Sequence, residues 1–151
     1  MSDPGAGPGS GDLGGLLGLM PFAATLGIVL DDASPAEVRG RLDWSPELCT
    51  TGGLLHGGVL MALADSLGGI CAYLNLPADA QTATISSATS FLRGVRSGQL
   101  AGVSRPLHAG RTVIVVQTDL LDGTGRLAAQ VTQAQAVLPG QPARSPAARR
   151  P

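Results

Sequence analysis

The pattern of hydrophobic and polar positions predicts one long helix and six strands. Gly58–Leu74 is apolar on nearly every side, which is typical of a helix that is buried rather than laid on a surface. Pro77 ends this helix, because proline cannot continue it. Glu37–Trp44 alternates instead, and a period of two predicts a strand with one buried and one solvated face. The residues on its apolar face are Val38, Gly40, Leu42 and Trp44.

The other strands are predicted from β-compatible runs separated by turn signals. One precedes the helix and four follow it: Thr25–Asp31, Thr82–Leu92, Gln99–Leu107, Arg111–Leu121 and Arg126–Leu138. Connections this short favour antiparallel pairing. The order β-β-α-β-β-β-β therefore predicts an α+β fold, a curled antiparallel sheet wrapped around one long central helix.

Turns are predicted at Asp31–Pro35, His108–Gly110 and Asp122–Gly125. Pro106 indicates a sheet edge or a bulge, because proline has no N–H to donate. The last strand is predicted to alternate through an apolar set: Leu127, Ala129, Val131 and then Ala134 and Ala136.

The 151 residues are most simply one domain, with the folded part at residues 16–138. Segments 1–15 and 139–151 are rich in Gly and Pro, so we expect both ends to be disordered. A core of about 120 residues is marginal as an isolated monomer. Oligomerisation is therefore expected.

Charge and targeting signals narrow the possible functions. The net charge is −1, so no large field favours nucleic acid. The first residues lack the features of a signal peptide, and Leu13–Phe22 is too short to span a membrane. Cys49 and Cys71 form no disulfide framework. We expect a cytoplasmic protein with reduced thiols and with neither a nucleic-acid nor a membrane partner.

Asp65 is the one acidic residue between Leu48 and Pro77, a stretch that contains no Lys or Arg. An ionised carboxylate among apolar neighbours is costly unless something pairs with it or uses it. We expect a buried and functional carboxylate, because nothing charged is near in sequence. The alternative is a structural acid satisfied by Ser or Thr hydroxyls or by a loop.

His56, Gly57 and Gly58 stand at the start of the predicted helix. The first N–H groups of a helix have no partner within it, and the helix dipole adds partial positive charge there. Without side chains at 57 and 58, a carbonyl that develops negative charge could be held. An ordinary glycine turn is the alternative. His56 could act as a general base, although we favour a histidine that fixes the loop.

Asp65 lies eight residues beyond Gly57, about 12 Å along a helix axis. Donors at one end of a helix and a carboxylate so far along it cannot serve one carbonyl. They can if two antiparallel helices from two subunits place Asp65 of one chain opposite Gly57 of the other. The spacing therefore predicts a site at a dimer interface.

Other reactive residues are given structural roles. Cys49 and Cys71 are expected to be small buried hydrophobic residues rather than nucleophiles, and His108 a turn residue. The His and Cys residues lack metal-ligand spacing, so no metal is expected. Gly68 and Gly69 weaken a helix, which indicates close approach by another backbone or a ligand.

Three motifs together resemble the hotdog-fold acyl-CoA thioesterases of the phenylacetate-degradation and 4-hydroxybenzoyl-CoA type. They are Gly53–Asp65 with its His-Gly-Gly, Phe91–Arg93, and His108–Gly110. The resemblance covers Leu16 to Leu138. It implies an acyl-CoA substrate, no cofactor beyond the coenzyme A of that substrate, and homodimers that pair into dimers of dimers.

The resemblance also implies residue roles. Asp65 matches the general base or nucleophile, Gly57 the oxyanion donor, and His56 a residue that orients the loop or touches the thioester. Thr84 lies where some members use Ser to hold the water. The residues implied to meet coenzyme A are Arg93, Arg111 and Thr112.

The chain departs from the family pattern at three positions. Thr50 stands where an Asn or Gln is frequent, and a hydroxyl can hold a water but cannot offer an amide. Gly69 replaces a frequent polar residue, and Gly94 a frequent Pro.

The small side chains at Gly68, Gly69 and Ala72 leave room beside the helix for an aryl or medium-chain acyl group.

The first hypothesis is therefore hydrolysis of an aryl- or medium-chain acyl-CoA. The second is a hotdog domain that binds acyl-CoA without hydrolysis, for which Thr50 and Gly69 would mark lost activity. A dehydratase is disfavoured by the position of His56 beside Gly57. A purely structural module leaves Asp65 unexplained.

Overall fold

The computed structural model describes residues 12–140. Three α-helices and six strands follow one another in the order α1 (Leu13–Gly18), α2 (Pro21–Thr25), β1 (Val29–Ala33), β2 (Val38–Asp43), α3 (Gly57–Leu74), β3 (Ala80–Phe91), β4 (Gln99–Ala109), β5 (Val113–Leu121) and β6 (Leu127–Pro139). Two short 3₁₀ turns, Pro46–Leu48 and Thr51–Gly53, lie between β2 and α3.

The strands form one antiparallel sheet in the order β1-β2-β4-β5-β6-β3. The sheet curls around α3, which contacts β2 to β6. The predicted architecture is confirmed, and the central helix begins one residue before its predicted start. Strands β1 and β3 are the two edges of the sheet.

The start of the domain differs from the prediction. Thr25 ends α2 and Gly27 has a φ of +78°, so the first strand begins at Val29 rather than at Thr25. Helix α1 begins at Leu13, inside the segment predicted as disordered. Asp12 caps α1 by accepting a hydrogen bond from Gly15 N at 2.8 Å. Helices this short depend on such caps and on packing more than on propensity.

Both helices anchor on the core through one buried residue each, Leu16 and Ala23. Helices of five or six residues that are rich in glycine or begin with proline show almost no hydrophobic periodicity in the sequence. The other residues predicted as disordered, 1–11 and 141–151, lie outside the described residues.

Strand β4 is longer than predicted, because His108 and Ala109 are its last two residues rather than part of a turn. The turn to β5 falls at residues 110–112. Pro106 marks a bulge as predicted, since the register shifts between Pro106 and His108. It also lies beyond Ser104, the last residue of β4 that pairs with β2.

The alternation along β6 differs from the prediction in its second half. Its buried face does not pass to Ala134 and Ala136 but continues through Gln133 and Gln135. The pairing of β6 with β5 runs without a bulge from Ala129 to Ala136, so the period of two is kept. Two glutamine side chains therefore point toward α3.

Leu67 of α3 is the side chain that seats the helix on the sheet. It is fully buried against Gly40 and Gly102, which are direct partners in β2 and β4. A Cβ at position 40 or 102 would lie 2.7 or 2.5 Å from a methyl group of Leu67. The glycine pair thus forms the hollow that Leu67 fills.

Helix α3 has the length and composition of a membrane span, with 18 residues and a mean hydropathy of 1.5. In this fold 56% of it is buried inside the protein, as expected of a core helix.

Replacing Leu67 with Ala is expected to lower the free energy of unfolding by about 2–5 kcal/mol, because the hollow between the glycines is left unfilled. Urea unfolding measures the change. Leu107→Ala is the matched control: Leu107 is 59% exposed, so its loss should cost about 0.5 kcal/mol or less. Equal losses in the two variants would contradict this role of Leu67.

The two cysteines are expected to differ in reactivity. Cys71 is fully buried, and burial raises the pKa of its thiol to about 11. Cys49 is half-buried, and its Sγ lies 3.3 Å from Ser45 O. Because the thiolate is the reactive form, Ellman's reagent at pH 8 should label native Cys71→Ser protein but label Cys49→Ser protein only after unfolding. Rapid labelling of native Cys49→Ser protein would show that Cys71 is accessible.

Candidate active site

His56 fixes the entry of the chain into α3. It is the N-cap residue, and its Nδ1 accepts a hydrogen bond from Gly58 N at 2.8 Å. The proton of the neutral ring is therefore on Nε2. A Cβ at position 58 would lie 3.0 Å from Nδ1, so Gly58 makes room for the imidazole.

Gly57 has the N–H group that remains available to a ligand. The N–H of Gly58 is taken by the His56 ring, and those of Val59 and Leu60 point to His56 O at 2.8 and 3.4 Å. Within residues 12–140, no acceptor is found for Gly57 N–H. This group lies at the partly positive end of the helix.

The predicted residues Thr50, Gly57 and Arg93 meet in one cavity of about 370 Å³, called the Gly57 cavity here. The ring of Phe91 closes one side of it, and a Cβ at position 57 would lie 3.2 Å from that ring. Arg93 is exposed, so it lines the mouth of the Gly57 cavity rather than its base.

Asp65 faces a second cavity of about 240 Å³, called the Asp65 cavity here. Gly69 and Thr84, both predicted site residues, lie in the same cavity, and α1 and the connection from α1 to α2 supply part of its apolar wall. The lining residues are Leu16, Leu19, Met20, Asp65, Gly69, Ile70, Tyr73, Thr82, Ala83, Thr84 and Gln135.

Asp65 is exposed in the single chain, so the expectation of a carboxylate buried within its own chain was wrong. It belongs to a stripe at four-residue spacing, with Met61 42% and Tyr73 36% exposed. The sheet covers the other faces of α3 and leaves this stripe open. Apolar neighbours in sequence therefore did not imply burial of the acid by the same chain.

Gln133 is the partner of Asp65 that sequence analysis missed. Its Nε2 donates a hydrogen bond to Asp65 Oδ1 at 2.6 Å, and its side chain is fully buried. A Cβ at position 68 would lie 2.0 Å from Gln133 Oε1. Close approach to Gly68 was predicted for another backbone or a ligand, but it is made by the side-chain amide of Gln133 from the sheet.

Gln135 holds the hydroxyls of the edge strand β3. It is 1% exposed, and its Oε1 accepts from Thr84 Oγ1 at 3.1 Å and from Thr82 Oγ1 at 3.4 Å. Its Nε2 has no partner among residues 12–140. Thr84 uses its proton in this bond, so its hydroxyl can offer a further ligand only an acceptor. Strict alternation along β6 in the sequence could have predicted that both glutamines, Gln133 and Gln135, are on its buried face.

Four predicted site residues line neither cavity. His56 and Gly58 are the chain neighbours of Gly57 at the start of α3. Arg111 and Thr112 lie in the exposed turn between β4 and β5 and line neither the Gly57 cavity nor the Asp65 cavity. In one chain the predicted site is therefore divided. The free N–H of Gly57 and the carboxylate of Asp65 lie in different cavities, about 12 Å apart along α3.

Comparisons with known proteins show the family and the fold of the chain. The family model of the thioesterase superfamily matches residues 52–129. The 1,4-dihydroxy-2-naphthoyl-CoA hydrolase of Escherichia coli is 34% identical over 86 residues, which are 57% of this chain and 63% of that protein. The Mycobacterium tuberculosis protein named "Putative esterase Rv1847" is 30% identical over 114 residues, 74% of this chain and 81% of the relative.

A solved structure of a variant of thioesterase PA1618 from Pseudomonas aeruginosa superposes with a TM-score of 0.81 at 27% identity. The match covers 87% of this chain and 97% of that structure. The resemblance noted from the motifs is thereby confirmed. The chain belongs to the thioesterase superfamily, and it is a thioester hydrolase of the hotdog fold.

Proposed function

We propose that the protein hydrolyses an aryl- or medium-chain acyl-CoA to the free acid and coenzyme A, at a site shared by two subunits. The observation that carries this proposal is the division of the site. Gly57 has the free N–H at the start of α3, and Asp65, the acid on that helix, faces another cavity. Two antiparallel copies of α3 would bring each carboxylate to the partner's N–H.

In this arrangement Asp65 acts as general base or as nucleophile. As a base it takes a proton from water, and the oxygen of that water adds to the thioester carbon. Gly57 N–H of the partner subunit holds the resulting oxyanion. The intermediate collapses, the C–S bond breaks, and coenzyme A leaves as thiolate. A thiolate leaves without strong acid, so one base and one oxyanion donor are sufficient.

The Asp65 cavity is the proposed place of the acyl group. Its wall is mostly aliphatic, and Thr82, Thr84 and Gln135 form a polar side. Thr84 can accept a hydrogen bond from the attacking water. We further propose that Arg93, with Arg111 and Thr112, meets the coenzyme A part of the substrate.

A homodimer is proposed from the exposed surfaces. Strand β3 is a 12-residue edge whose side chains are mostly exposed, and an edge strand offers unpaired N–H and C=O groups. It borders the open stripe of α3. Pairing of β3 with its symmetry copy would cover both features at once. Dimers of dimers are the proposed larger assembly.

A second candidate is binding of acyl-CoA without hydrolysis. Thr50, in the Gly57 cavity, offers no amide, and Gly69 leaves open space where its side chain would be. Tight binding of acyl-CoA without release of thiol would favour this candidate over the first.

Thiol release from a panel of acyl- and aryl-CoAs tests the activity. Asp65→Asn keeps the size of the side chain but removes the carboxylate, so kcat should fall by about 10²–10⁴-fold. Circular dichroism and sedimentation of the variant should match the wild type. Full turnover by this variant would contradict the mechanism. Binding without turnover by the wild-type protein would replace hydrolysis with the second candidate.

Mixed dimers test whether the site is shared. Gly57→Pro removes the free N–H at a position where proline is tolerated, and the ψ of 135° at His56 suits a following proline. When Gly57→Pro and Asp65→Asn chains carry different tags and are purified together, each mixed dimer should regain one intact site of two.

Both homodimers should be inactive, and Gly57→Ala, which keeps the N–H, should lose less activity than Gly57→Pro. A mixed dimer as inactive as its parents would place the whole site in one chain. Sedimentation of the wild type at the mass of a single 15.1-kDa chain would also exclude a shared site.

A further inference from the structure

We propose that Gln133 positions the Asp65 carboxylate for reaction, and that Gly68 is the opening in α3 through which it does so. The inference rests on the proposed function, because it assigns the support of the same carboxylate. It concerns a buried side chain that lines neither the Asp65 cavity nor the Gly57 cavity.

Only one of the two oxygens of the Asp65 carboxylate accepts a hydrogen bond from Gln133. Gln133 Nε2 donates to Oδ1 at 2.6 Å, and no partner of Oδ2 is found within the described range 12–140. A bond from an amide to an ionised oxygen is stronger than one between neutral groups. One oxygen is thus held by the protein while the other is free for water or substrate.

Asp65 needs such a support because it is exposed in the single chain. Its own chain offers little packing to select one rotamer, and a reacting group must stay close to its productive geometry. Gln133 is suited to hold it, since it lies inside β6 with Val116 of β5 and Ser87 of β3 as pairing partners. Its backbone is therefore fixed on both sides.

The contact depends on the absence of a side chain at position 68. A Cβ there would lie 2.0 Å from Gln133 Oε1 and 3.2 Å from Val116 Cγ2. An alanine at this position would push the amide away from Asp65. At Gly69, by contrast, a Cβ would meet nothing within 4 Å. Of these two helix glycines, Gly68 is the one that Gln133 requires.

A purely structural role explains Gln133 poorly. The side chain is fully buried, yet its Oε1 has no hydrogen-bond partner in the described part of the chain. An unpaired buried carbonyl costs free energy, and an apolar side chain of the same size would avoid that cost. Gln133 therefore lowers the stability of the fold but provides a hydrogen-bond donor to one oxygen of Asp65. Such a loss of stability is common at functional sites.

The test substitutes Gln133→Met, which keeps the length of the side chain and removes the donor. We expect kcat to fall by about 10–100-fold with KM unchanged and with a melting temperature equal to or above that of the wild type. Gln130→Met is the matched control on the same strand, because Gln130 bonds to Asp119 outside both cavities. Its kcat should equal that of the wild type.

Gly68→Ala should reproduce the loss in kcat. Because both changes break one contact, the double variant should lose no more than Gln133→Met alone. Three results would overturn the inference. They are losses in kcat that multiply in the double variant, an unchanged kcat in Gln133→Met, and a loss in kcat that is accompanied by a lower melting temperature.

A readout without turnover keeps the inference separate from the proposed function. In ¹⁵N spectra the Gln133 side-chain amide should shift when Asp65 is replaced by Asn, while the Gln130 amide should not. If the wild type releases no thiol from any acyl-CoA, the proposed function fails and Gln133 has no reaction to support. An unmoved Gln133 amide would refute the contact itself, whatever the activity.

Discussion

The burial of α3 is the constraint on which the rest of the structure depends. An 18-residue helix with a single charge must be covered, and one curled sheet can cover only part of its circumference. Leu67 enters the hollow between Gly40 and Gly102, which brings the helix axis close to β2 and β4. That seating turns the stripe with Asp65 toward the opposite side, beside β3. The position of Asp65 thus follows from how the apolar faces of α3 are buried.

The same constraint divides the chemistry between two cavities. The N-terminus of α3 opens toward Thr50 and Arg93, and the middle of the helix opens toward β3, α1 and the residues that connect α1 to α2. No rearrangement of one rigid helix can bring these points together. A second copy can, and it would cover the stripe and the β3 edge in the same step. The proposed dimer would therefore both bury apolar surface and assemble the site.

The sequence was most informative where periodicity was long and simple. The apolar run of α3 and the alternation of β2 predicted the architecture. Helices α1 and α2 were not predicted, because helices of five or six residues are too short to show a hydrophobic period. The error on β6 was of another kind. Apolar residues were preferred for the inward face, although the strict alternation of the strand put Gln133 and Gln135 there. The sequence pattern could not show that the buried amide of Gln133 lies within hydrogen-bond distance of the Asp65 carboxylate.

These two amides also bear on the departures from the family pattern. Thr50 cannot offer an amide from the loop before α3, but Gln133 offers one to Asp65 from the sheet within the same chain. Gly69 contributes no polar group, yet Gln135 orders the Thr84 hydroxyl in the same cavity. The polar support of the carboxylate has a different origin rather than being absent. An acid that had lost its reaction would gain nothing from a buried glutamine whose Oε1 has no partner in the described part of the chain, and this favours hydrolysis over binding alone.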